Sequence, residues 1–124
     1  SSYGARAEES DDVTHVYVSG GSMSEPHYRF YTDSEGTTEI SELDITHTYT
    51  FHRLNGATSH PFYVSDSGYE QESSDKITLT GDGSSSSGIS GSETFTISFE
   101  DIFLYSISKI TIYKIRNLFL LKSK

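Results

Sequence analysis

His15, His27, His47, His52 and His60 are the residues of this chain best suited to carry chemistry. Neutral imidazole binds copper and zinc well. The chain has no cysteine, which removes disulfides, a thiolate nucleophile and every thiolate-ligated metal site. The five histidines form no compact ligand pattern such as H-x-H or H-E-x-x-H. His47 and His52 are five apart, which places them on opposite faces of a regular strand. Four of the five open strand-like runs: "HVYVS" from His15, "HYRFYT" from His27, "HTYTFHRL" from His47 and "HPFYVS" from His60. All but His60 are expected to mark strand ends near solvent, where their titration would make the surface pH-sensitive. His60 has a second feature, since it directly precedes Pro61. A residue before proline is pushed toward extended backbone, so His60 is expected to enter a strand.

Other chemistries find less support. In "DSEGTTE", Asp33, Glu35 and Glu39 surround Gly36, but the spacing and flanking helices of an EF-hand are missing, and the segment is expected to be a hairpin turn. "GDGSSSSG" lacks the Lys-Ser/Thr ending of a phosphate-binding loop and runs from strand to strand, so it reads as a surface loop. No G-x-S-x-G nucleophile elbow accompanies the many serines.

The elements that must position these side chains follow a two-residue period. In "HTYTFHRL", Tyr49, Phe51 and Arg53 share one face and Thr48, Thr50 and His52 the other; "TFTISF" likewise aligns Phe95, Ile97 and Phe99. Strands are expected near 14–18, 27–32, 47–54, 61–65, 76–80, 93–99 and 108–115, separated by Gly/Ser/Asp-rich turns. Many short strands without a helical stripe indicate an all-β sandwich or barrel. At 124 residues the chain has the size of one domain, with residues 1–12 as a flexible acidic N-terminus and 13–124 as the folded unit. Hydrophobic residues make up only 33%, yet nine Tyr and seven Phe supply an aromatic core that disordered chains lack.

Charge is divided along the chain. Residues 1–101 hold all 18 acids against Arg6, Arg29, Arg53 and Lys76, whereas residues 102–124 hold five bases and no acid. The overall −9 argues against nucleic-acid binding, which requires clustered Lys and Arg. The tail "IFLYSISKITIYKIRNLFLLKSK" is apolar, but Lys109, Lys114 and Arg116 interrupt it too often for a membrane span. Its β-branched content favours a strand of the domain over an amphipathic helix at a membrane surface. The chain begins at Ser1 with no apolar signal region, which suits a processed, secreted protein.

The order "YTF…SHPFYVSD", followed by "TLTGDGSSSSGISGSETFTISF", resembles cupredoxin-like domains of secreted and environmental proteins, from about Val16 to Phe99. The resemblance implies a Greek-key β-sandwich of about seven strands, with His60 as the first ligand of a mononuclear copper. The other ligands of that family come from a C-terminal Y-C-x-x-H-x-x-M segment. Anchored on Tyr113, that segment would put the cysteine at Lys114, the histidine at Asn117 and the methionine at Leu120, and none of these can form the expected bond. Met23, the single methionine, lies far upstream. Type 1 copper needs the thiolate, so its chemistry is not expected here. A second possibility for the tail is replacement of an ancestral C-terminus by translation in another frame or into adjacent sequence.

The resulting expectation is a non-enzymatic, extracellular binding or structural module that keeps the sandwich and has lost the copper. Its acidic body and basic 102–124 segment suit self-assembly. No cofactor is expected. The alternative is a copper-binding or electron-transfer protein that uses His60 with other histidines; a hydrolase would be a third class, without a motif behind it.

Overall fold

The alternation seen in the sequence becomes a mixed sheet whose two faces differ sharply. A computed structural model describes residues 13–22, 27–44, 46–67 and 71–99, and the backbone of two short strands near the C-terminus. The N-terminal segment 1–12, Met23, Asn117 and most of the strand expected at 108–115 lie outside the described residues. In chain order the strands are β1 (Val13–Val18), β2 (Phe30–Tyr31), β3 (Glu39–Ile40), β4 (Glu42–Leu43), β5 (Thr48–Arg53), β6 (Val64–Ser65), β7 (Ile77–Gly81), β8 (Phe95–Phe99), β9 (Tyr113–Lys114) and β10 (Phe119–Leu120). The protein is all-β.

Six strands form the main sheet in the order β3-β2-β1-β5-β8-β7. All its pairings are antiparallel except the central one, where β1 runs parallel to β5 over six residues, from Val13 opposite Thr48 to Val18 opposite Arg53. Parallel neighbours cannot be joined by a tight turn. The chain between them therefore makes the β2–β3 hairpin and β4 before returning. Two smaller antiparallel ladders involve the tail: β9 pairs with β4, and β10 pairs with β6.

The hairpin expected at "DSEGTTE" forms between β2 and β3, with Phe30 opposite Ile40. Its turn is held by the Asp33 carboxylate, which accepts hydrogen bonds from the Thr37 and Thr38 amides and from the Thr37 hydroxyl. These bonds favour the charged form and keep the Asp33 carboxyl below its ordinary range. The strand expected at 27–32 is reduced to Phe30–Tyr31. That expected at 61–65 is reduced to Val64–Ser65 plus a single bridge from Phe62 to Ile89. Pro61 has no amide hydrogen to donate, which limits how early a ladder can start.

One face of the sheet builds the core. Val16, Val18, Phe30, Tyr49, Phe51, Phe95, Ile97 and Phe99 are buried from the main sheet, and Leu43, Phe62, Val64 and Ile89 join them from outside it. Phe51 and Phe62 lie at the centre: the Phe51 ring meets those of Phe30, Phe62 and Phe95 at centroid distances of 6.5, 5.6 and 5.3 Å. These spacings are typical of favourable aromatic pairs. Phe51 is fully buried, so Phe51→Ala should destabilise the fold by about 3–5 kcal/mol, read as a lower urea midpoint. A loss below about 1 kcal/mol would show that the aromatic cluster is not the core.

Candidate functional site

The outer face of β1 and β5 collects the side chains that the core leaves out. Because Val16 and Val18 point into the core, His15 and Tyr17 take the other face; because Phe51 and Arg53 are buried, Thr50 and His52 do the same. The parallel register sets Tyr17 directly opposite His52 and His15 opposite Thr50. Tyr17 and His52 therefore stack, with ring centroids 4.8 Å apart and planes 18° from parallel. His15, two residues back on the same face, reaches His52 diagonally: His15 Nδ1 lies 2.9 Å from His52 Nε2. One of these nitrogens donates the shared proton and the other accepts it. Partial burial, reinforced by repulsion from His15, lowers the pKa of His52 below its ordinary value.

His52 and Tyr17 also border an open cleft of about 780 Å³. Glu35 from the β2–β3 turn, Arg53 at the end of β5, Asn55 after it, and Ser92 and Glu93 before β8 contribute to its polar wall. The cleft thus presents carboxylates, an amide and a hydroxyl beside an aromatic pair.

At the end of β5, Arg53 turns into the protein and is only 3% exposed. Its Nη1 donates to the Ile89 carbonyl at 2.9 Å, and Nη2 donates to the carbonyls of Ser19 at 2.8 Å and Ser59 at 3.0 Å. One guanidinium thereby joins three loops. The Ser59 hydroxyl donates to the Gly20 carbonyl, and the Gly91 amide donates to the Ala57 carbonyl, tightening the same junction.

His60 lies at this junction, and its backbone departs from expectation. Its φ is 49°, in the left-handed region, rather than the extended conformation that Pro61 favours. Such a residue typically carries strain of about 1–3 kcal/mol. The surrounding bonds hold the corner: Tyr28 Oη donates to the Pro61 carbonyl at 2.9 Å and to that of His60 at 3.3 Å, while Arg53 secures Ser59. Gly21 must remain glycine for the corner to close, because a Cβ there would lie 2.6 Å from that of His60.

The other histidines sit as follows. His47 immediately precedes β5, with Nε2 3.8 Å from Asp44 Oδ2. His27 Nδ1 donates to the Ser22 carbonyl at 3.1 Å. His15 is the third residue of its strand rather than its end. Among the described residues no three His, Asp or Glu side chains are grouped to hold a metal. The His15–His52 contact was missed because it depends on the non-local pairing of β1 with β5, 37 residues apart. The available signal was the matching alternation in "HVYV" and "TFHR", which puts a histidine on the polar face of each strand.

Fold and site together define an all-β protein with a mixed central sheet, a histidine pair and an open polar cleft. The chain matches no known family profile, no curated protein and no solved structure.

The lowered pKa of His52 fixes the direction of one pH effect. Below about 6.5 the unfolded chain binds the His52 proton more readily than the folded one, so this contribution to stability is complete above that pH and is lost on acidification. Urea midpoints taken between pH 8 and pH 5 should fall on the acid side, and His52→Gln should flatten the decline. An unchanged slope in the variant would assign the effect to other groups.

Proposed function

We propose that this protein is a non-enzymatic, extracellular binding and assembly module. In this reading its fold is a Greek-key sandwich resembling cupredoxins, from which type 1 copper has been lost. The supporting observation is a backbone register: in the β4–β9 ladder, Lys114 of the basic segment is the partner position of Glu42. Opposite charges at facing positions favour a strand pair. The same pairing can operate between copies, the tail of one adding to β4 of another, with the charge division of the chain steering the encounter. Enzymatic turnover and nucleic-acid binding have no role in this function. Among the described residues no helix is long and apolar enough to cross a membrane.

A second reading, copper binding or electron transfer through His60 with other histidines, draws on the strained corner. Backbone strain held in place by several hydrogen bonds is a recurrent property of functional sites.

Sedimentation of the full chain tests the assembly reading. Association should rise with protein concentration and weaken between about 0.05 and 0.5 M salt, as the Debye length contracts. Replacing Lys109, Lys114 and Arg116 together by Glu should shift the distribution toward monomer. A monomer at every concentration, or oligomers indifferent to both salt and charge reversal, would contradict it.

A further inference from the structure

We propose that His15 and His52 form a two-imidazole site for a divalent transition-metal ion, with Cu(II) the tightest-bound. The inference stands on the geometry of the outer sheet face and does not require the assembly reading. The two nitrogens are 2.9 Å apart and the ring centroids 5.0 Å apart. Metal–nitrogen bonds of about 2.0–2.1 Å place neighbouring ligand nitrogens about 2.9 Å apart at a right angle and about 3.4 Å apart at the tetrahedral angle. The 2.9 Å separation is that of a hydrogen bond, and once the rings turn the same separation suits adjacent positions of a square-planar or tetragonal ion, the geometry of Cu(II) and Ni(II).

The two rings have complementary freedom. His52 is half-buried and stacked on Tyr17, so one ligand is pre-positioned. His15 is exposed and can turn about its side-chain bonds until both lone pairs meet at one point. The proton now shared between the rings moves to the other nitrogen of its own imidazole, a change of tautomer that leaves both rings neutral and both facing nitrogens free to coordinate. Water fills the remaining positions, since no third protein donor is grouped here among the described residues. Glu35 and Glu93 in the adjoining cleft outnumber Arg53, which also borders it, and leave a net negative field that favours a dication. Affinity follows the usual order in which Cu(II) exceeds both Ni(II) and Zn(II).

Titration of the full-length protein with Cu(II), followed by electron spin resonance at neutral pH, tests the site. The wild type should give an axial signal with nitrogen hyperfine structure at one equivalent. The second imidazole acts as a ligand held at high effective concentration, so His15→Ala and His52→Gln should each weaken binding about tenfold or more. His27→Ala, at a histidine far from this pair in the fold's register, should bind as the wild type does. Urea midpoints of the metal-free variants establish that each is folded. Wild-type affinity and spectrum in both folded His15→Ala and His52→Gln would overturn the proposal. Loss of the signal in His60→Ala alone would also overturn it, in favour of the corner histidine.

Discussion

One buried guanidinium holds an entire end of this sheet. The alternation that turns Tyr49 and Phe51 into the core also turns Arg53 inward, where its charge cannot be solvated. No carboxylate ion pair compensates it among the described residues. Three carbonyls do so instead, from Ser19, Ser59 and Ile89, segments that lie far apart in sequence. The planar fork of arginine can address several acceptors at fixed angles, which an ammonium cannot. The arrangement is not fully satisfied, since Arg53 Nε is buried without a partner. Burial draws the pKa of Arg53 down from its ordinary value.

From this tie the local geometry follows. With Ser59 held by Arg53 and Pro61 by Tyr28, His60 is confined between two fixed points and pressed against Gly21. Its left-handed backbone is the conformation that closes the gap. The opposite face of the same strand does different work. His52, one residue before Arg53, faces outward and meets Tyr17 and His15 beside the polar cleft. A single strand, β5, thus supplies the structural tie from one face and the candidate ligand from the other.

Much of the strand content was legible, because alternation is a local signal. Strands β1, β5, β7 and β8 fall close to their expected positions, and the Asp33 turn closes the expected hairpin. The two-residue strands Glu39–Ile40 and Glu42–Leu43 were not legible; segments so short and acidic carry no period and form only where a partner presents itself. Arg53 was placed on the core face, but three widely separated carbonyls receiving one guanidinium leave no mark in sequence. His60 went the other way. The local preference imposed by Pro61 was clear, and tertiary bonds overrode it. The site itself depended on knowing that β1 and β5 are neighbours, and parallel pairing between distant segments has no turn signature to announce it.

The claim that Arg53 unifies the three loops is tested most directly by amide hydrogen exchange in Arg53→Lys. The amides of Ser19, Phe62, Ile89 and Gly91 all form backbone hydrogen bonds at this junction. If the guanidinium is the common tie, these amides should lose protection together in the variant, while those of β7 and β8 keep theirs. Loss of protection at one loop with the other two unchanged would contradict the account, and would mean that the loops are held by their own contacts.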